Sequence, residues 1–164
     1  MMNAKKSLIK CFDSNRKLCL TGLGMLLTIL PIISCAATRC AISSITSANF
    51  GTYDVFSTLS NNNGIGSVTI DCQGGGSNLL VTLSSGQSNN YVSRTMRSGG
   101  NSMNYNLYTS AARNVVWGDG SGGSSTMMVN KNSTTTLSIF GQIPAGQDVA
   151  VGTYSDNILT IVNF

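Results

Sequence analysis

The chain has 164 residues, of which 10% are charged, with no histidine and, because all six acidic residues are aspartates, no glutamate. These absences exclude a histidine-based catalytic triad, a histidine-ligated metal site and a glutamate acid–base pair. The formal net charge of +4 lies within residues 1–37, because the other 127 residues carry five basic and five acidic side chains. A neutral domain offers no electrostatic basis for binding nucleic acid.

The first 37 residues have the three-part layout of an export signal. A basic stretch ends at Lys17, residues 18–33 are uncharged and mostly apolar, and small residues lead to Ala37. We predict cleavage after Ala36 or Ala37, which leaves a domain of residues 38–164 without a membrane span. Two alternatives stay open. One is a membrane anchor, although the apolar stretch is shorter than the ~20 residues that a span needs. The other is lipidation at Cys35, because residues 32–35 resemble a bacterial lipoprotein box.

Five cysteines become two, Cys40 and Cys72, once the leader is removed. An even pair in an exported chain is expected to form a disulfide, because the compartment is oxidising. We therefore predict a disulfide that joins two neighbouring strands. The alternative is a pair of free buried thiols.

Short alternating segments fill the domain, and none of it has sustained helical periodicity. Alternation with β-branched and aromatic residues predicts strands at residues 65–70, 103–108, 135–140 and 158–164, and a compact apolar run predicts another at residues 79–83. Stretches rich in glycine, asparagine and serine predict turns and loops between them, at residues 61–64, 74–76, 98–101 and 118–123. This spacing predicts a single all-β domain, an antiparallel β-sandwich of about seven or more strands.

Little in the domain points to chemistry, and we expect no enzymatic activity, no cofactor and no metal. Residues 118–123 match G-x-G-x-x-G by count, but no helix pattern follows, so we interpret them as a loop. Most of the aspartates are interpreted as turn and strand-end residues that bond to nearby backbone. Trp117 is a candidate for an exposed sugar-stacking residue in a surface-binding loop. A place in a loop or at the edge of the core is the alternative for it.

Short segments in order along the chain carry a family resemblance. They lie at residues 40–42, 50–54, 68–72, 94–96, 105–108, 117–120, 140–144 and 152–156, followed by a last strand that ends at Phe164. Residues 50–54 are similar to a Phe-Gly-x-Tyr-Asp element, and Cys72 stands at a strand end as the second cysteine does. On these residues the chain from Cys40 to Phe164 resembles the spore coat protein U domain family, which includes subunits of archaic chaperone–usher pili of Gram-negative bacteria. The resemblance implies an immunoglobulin-like, pilin-type antiparallel β-sandwich that lacks one strand.

The resemblance also implies assembly by donor-strand complementation, in which a partner adds a strand to an exposed sheet edge. The implied partners are a periplasmic pilus chaperone, an outer-membrane usher and other pilus subunits. The last strand is expected to contact the chaperone. One of its faces is formed by Ile158, Thr160, Val162 and Phe164, and the other by Leu159, Ile161 and Asn163. Which face turns inward stays open, because Thr160 occupies a place that is usually apolar.

The segment before the domain departs from the family's pattern. Cleavage after Ala37 leaves two residues before Cys40, too few to add a strand, so we expect a subunit that accepts a donor strand and gives none. That fits a tip, capping or accessory subunit of a surface pilus, exported through the inner membrane to the periplasm and supporting adhesion or biofilm formation. One alternative is cleavage further upstream, which would leave residues 26–33 as a donor. Another is an autonomous secreted β-module that binds carbohydrates or surfaces, or a coat component, which folds without a chaperone.

Overall fold

A computed structural model describes residues 39–74 and 78–163. This part of the chain forms eight strands, which are β1 (Arg39–Asn49), β2 (Ile65–Gln73), β3 (Leu79–Leu83), β4 (Arg94–Ser98), β5 (Asn101–Tyr108), β6 (Met127–Val129), β7 (Thr135–Gln142) and β8 (Thr160–Asn163). Its helical structure is one short 3-10 turn, Gly86–Ser88. The predicted leader, residues 1–37, and Phe164 lie outside the described residues.

All strand pairs are antiparallel, and they form two sheets. The larger sheet has the order β1-β2-β7-β5-β4, and the smaller has the order β6-β3-β8. Buried side chains from both sheets belong to one hydrophobic core. The predicted all-β antiparallel sandwich is confirmed.

Five of the eight strands were predicted, from alternation or from a compact apolar run, whereas three were not. The predicted segment 79–83 coincides with β3, and β2, β5 and β7 contain the segments predicted for them. β8 begins at Thr160, two residues after the predicted start. No alternation predicted β1, β4 or β6. In β1 the pairing with β2 is irregular between Ile42 and Ser44 and again between Thr46 and Asn49, and such bulges break the period of two.

The core is built from the inward positions of both sheets. The larger sheet contributes Val68, Ile70, Tyr105, Leu107, Leu137 and Ile139, and the smaller contributes Leu79, Val81, Leu83 and Val129. Burying one such aliphatic side chain stabilises the fold by ~1.5–3 kcal/mol. Phe50 packs edge-on against Tyr105 with ring centroids 5.9 Å apart. A Cβ at Gly64 or Gly141 would collide with the ring of Phe50, so this close approach requires glycine at both positions.

The predicted disulfide joins the first two strands. Cys40 and Cys72 stand directly opposite each other in the β1–β2 ladder and are bonded, with their Cα atoms 4.1 Å apart. Both side chains are buried in the core. The bond therefore ties the edge strand β1 to the body of the larger sheet.

Candidate functional site

β1 and β8 are edge strands, one in each sheet, and their unpaired edges are called the opening of the sandwich. Among the described residues β1 has β2 as its strand neighbour, and β8 has β3. Cys40 of β1 is opposite Cys72 near the end of β2, and Asn163 of β8 is opposite Leu80 near the start of β3. Because β2 and β3 follow one another closely in the chain, Cys40 and Asn163 lie at the same end of the sandwich. An edge strand can accept a further strand.

A cleft lies at the opposite end. It is lined by residues 48–55, which comprise the last two residues of β1 and the segment after it, and by residues 149–155, which precede β8, and its volume is about 660 Å³. Its floor contains the core side chains Met96, Met103 and Ile143. Buried core residues therefore line the space between the segments that adjoin the two edge strands.

Half-buried apolar side chains lie along both borders of the opening. Ile42 and Ile45 of β1, and Ile158 and Val162 at β8, pack against the core but are only partly buried. A side chain covered on one side and exposed on the other gains burial when a further strand is added, at ~25 cal/mol per Å² of apolar area. The arrangement can therefore bind an extended segment with apolar side chains at alternate positions.

The structure decides which face of the last strand turns inward. Thr160 is buried, and Ile158 and Val162 pack against the core. Leu159 and Ile161 point outward and are 41% and 39% exposed. Of the four residues predicted to contact a chaperone, three thus lie on the core side, and the fourth, Phe164, lies outside the described residues. The chaperone contact itself stays a prediction.

Trp117 corrects the prediction of an exposed stacking residue. Its side chain is 0% exposed, and its indole N–H donates to the carbonyl oxygen of Val81 in β3 at 3.0 Å. A buried indole cannot stack on a sugar from solvent, so the core alternative holds. The loop that follows it, residues 118–123, is a turn-rich connection in which Asp119 accepts hydrogen bonds from the backbone N–H and the hydroxyl of Ser121.

A buried arginine, which the alternation pattern did not indicate, connects the two sheets. Arg94 of β4 is 0% exposed. Its guanidinium donates to the carbonyl oxygen of Ser84, which follows β3, to Oδ1 of Asn106 and to the carbonyl oxygen of Trp117. Burial lowers the pKa of Arg94. Because buried donors without partners are costly, this network fixes the end of β3 relative to β4.

A second buried polar group, Asp156, lies just before the last strand. Its carboxylate is 1% exposed and accepts hydrogen bonds from the hydroxyl of Tyr105 and from the backbone N–H groups of Gln87 and Asn157. Burial, the charge of Asp156 and the bond to it raise the pKa of Tyr105 far above its ordinary value. The bond from Asn157 is the local backbone bond predicted for an aspartate at a strand end, whereas the other two donors lie far away in the chain.

Groups suited to metal binding or to membrane insertion do not assemble in the described part of the chain. No group of three or more histidine, cysteine or acidic residues is placed to hold a metal ion within residues 39–74 and 78–163. Within the same ranges no helix has the length and apolar character needed to cross a bilayer.

The fold and sequence define the class of protein. The profile of the Spore Coat Protein U domain family matches residues 27–160, and the chain belongs to this family. The match begins inside the segment predicted to be removed, so the boundary at residue 38 stays a prediction. Protein U of Myxococcus xanthus is 30% identical over 128 residues, which cover 71% of this chain and 70% of that protein.

A solved structure shares the fold. It is the crystal structure of the CsuC–CsuE chaperone–tip adhesion subunit pre-assembly complex from the archaic chaperone–usher Csu pili of Acinetobacter baumannii. The match has a TM-score of 0.55 and 22% sequence identity, and it covers 78% of this chain and 40% of that chain. The chain thus spans less than half the length of its structural neighbour. At this identity the likeness establishes the fold.

Proposed function

We propose that the protein is a subunit of a chaperone–usher surface pilus and is completed by a strand from a partner. The observation that carries the proposal is the opening between β1 and β8, with half-buried apolar side chains on both borders. Membership of the Spore Coat Protein U domain family and the shared fold with a chain of a chaperone–subunit complex support it. In this proposal a periplasmic chaperone first fills the opening, and a donor strand of another subunit replaces it at the outer-membrane usher.

The finer part of the proposal concerns position in the fibre. If cleavage follows Ala36 or Ala37, the subunit accepts a donor strand but has none to give, which places it at the tip, at a cap or in an accessory position. A role in adhesion or biofilm formation follows from such a position. The alternative of an autonomous carbohydrate-binding module has lost its candidate residue, since Trp117 is buried.

Two neighbouring residues of β8 provide a matched test. Val162 points toward the opening, whereas Ile161 points outward. We expect that Val162→Asp abolishes co-purification with the pilus chaperone of the same genome when both are exported to the periplasm, because a charge cannot be buried under the added strand. Ile161→Asp places the same charge on the other face and is expected to leave the complex intact.

Export of the wild-type chain without a chaperone tests the alternative of an autonomous module. We expect aggregation or degradation, because a sandwich with an unfilled opening exposes apolar surface and strand edges. A soluble monomer that never binds the chaperone would contradict the proposal and favour an autonomous module. In the native host, Val162→Asp should lower surface display and biofilm mass relative to Ile161→Asp.

The mass of the exported protein tests the expectation that the subunit has no donor strand to give. A chain that begins at Ala37 or Thr38 supports a subunit without a donor segment, and it should fail to form fibres from its own copies. A chain that retains residues 26–33 would contradict this part and supply an apolar donor candidate. A lipid adduct on Cys35 would instead establish lipidation.

A further inference from the structure

The chain crosses from one sheet to the other just before the last strand. Ser155 exchanges two backbone hydrogen bonds with Arg97 of β4, at 2.9 and 3.0 Å, in the larger sheet. Four residues later, the carbonyl oxygen of Leu159 accepts a bond from the backbone N–H of Ser84, which follows β3 of the smaller sheet. Asp156 is the first residue of this crossing. Its position therefore determines where the chain enters the smaller sheet.

The carboxylate of Asp156 is held from separate parts of the molecule. Oδ2 accepts from the hydroxyl of Tyr105 in β5 at 2.7 Å, and Oδ1 accepts from the backbone N–H of Gln87 in the 3-10 turn at 3.0 Å and from that of Asn157 at 2.8 Å. A Cβ on Gly86, which has a φ of 67°, would collide with this carboxylate. The surroundings are thus shaped around the side chain at position 156.

The hydrophobic pattern of β8 determines its register only weakly. The strand has four residues and pairs with β3 alone among the described strands. A slip of one residue would exchange its faces, so that Leu159 and Ile161 would point inward in place of Thr160 and Val162. Each face carries one polar residue, Thr160 on the native face and Asn163 on the slipped one. Side-chain burial therefore distinguishes the two pairings only weakly.

We propose that Asp156 sets the register of β8, by fixing the point at which the chain leaves the larger sheet. It is a positioning residue: it determines that Val162 faces the opening and that Ile161 faces away. The consequence for partner binding rests on the proposed function, but the register itself does not.

Engineered cysteine pairs report the register directly in the exported full-length chain. In the native register Thr82 is opposite Ile161, so Thr82→Cys with Ile161→Cys should cross-link. A slip by one residue places Thr82 opposite Thr160 or Val162, so Thr82→Cys with Thr160→Cys, or with Val162→Cys, reports the slipped states. Trypsin separates these cysteines into the peptides 40–94 and 132–164, so mass spectrometry identifies each cross-link.

In the wild-type background we expect the native cross-link to dominate. Asp156→Ala should lower the ratio of native to slipped cross-link by about tenfold or more, because hydrogen bonds to a charged group are lost. Asp156→Asn, which keeps the shape and one acceptor oxygen, should restore part of the ratio, and Tyr105→Phe should lower it less than Asp156→Ala. Asp148→Ala removes an exposed carboxylate from the same connection and should change nothing.

An unchanged ratio in Asp156→Ala would overturn the proposal. Hydrogen exchange at the β2–β7 amides shows whether that variant keeps its larger sheet. If it unfolds throughout, Asp156→Asn and Tyr105→Phe decide, and a native ratio in both overturns the proposal. Chaperone co-purification should fall with the slipped fraction. A wild-type chain that binds no chaperone would refute the proposed function, while the cross-links would still decide the register.

Discussion

The two sheets share one core but differ in how firmly they are held. In the larger sheet, strands of 11, 9 and 8 residues pair side by side, and a disulfide fastens the outermost strand. In the smaller sheet the strands have 3, 5 and 4 residues, so backbone pairing contributes less. Its attachment depends instead on side chains that reach it from elsewhere, namely Trp117 bonded to Val81 and Arg94 bonded to Ser84.

This difference is consistent with the proposed completion by a partner strand. A strand that forms part of a binding edge must stay in place without a second neighbour, and β8 is held by a few specific buried groups. Regions with few backbone bonds are those that open locally at low free energy. We therefore expect the smaller sheet to open first.

The largest effect is expected for Trp117→Ala. Removing a fully buried aromatic side chain costs about 3–5 kcal/mol of unfolding free energy, and the carbonyl of Val81 also loses its donor. In urea denaturation monitored with hydrogen exchange, amides of β3 and β8 should lose protection before those of β2 and β7. Val151→Ala, at a fully exposed position, is the control and should change stability by less than about 0.5 kcal/mol. Uniform loss of protection in both sheets would contradict the expectation that the smaller sheet opens first.

Removing the disulfide tests how the larger sheet is held together. Because its cysteines have a sequence separation of 32, the double variant Cys40→Ala and Cys72→Ala should lose about 3–4 kcal/mol on the chain-entropy account. Protection should fall in β1, because the strand is fastened there, while β3 and β8 keep their order of opening. A loss of protection confined to β8 would show that the disulfide acts on the smaller sheet instead.

A smaller effect, dependent on pH, is expected at Tyr105. Its pKa in the folded protein is raised from the ordinary 10.0 by burial and by Asp156. The stability that this proton contributes is therefore present below pH about 10 and lost as the pH rises above it, because the unfolded chain then releases the proton first. Tyr105→Phe should cost about 1.5–3 kcal/mol at neutral pH and make the alkaline decline shallower. The decline persists in part, because Tyr91 and Tyr108 also have raised pKa values. An unchanged slope would contradict the assignment.

Of the two edge strands of the candidate site, only β8 was predicted from the sequence. The last strand was predicted because its residues are apolar and β-branched. The strand on the other border, β1, was not, because its two irregularities place Ile42, Ile45 and Ala48 three residues apart. Likewise β4 starts with an arginine at an inward position. Because this inward residue is charged, the strand shows no hydrophobic alternation in the sequence.

The sequence by itself determined the features that depend on neighbouring residues or on counting. Strands such as β2 and β7 alternate in burial, the glycine-rich segment at residues 98–101 turns, and Cys40 pairs with Cys72. Only the tertiary structure decided that Trp117 is in the core, that Asp156 bonds to Tyr105 and that Val162 faces inward. The physical reason is that these outcomes depend on groups brought together from distant parts of the chain, whereas a sequence pattern records only local periodicity.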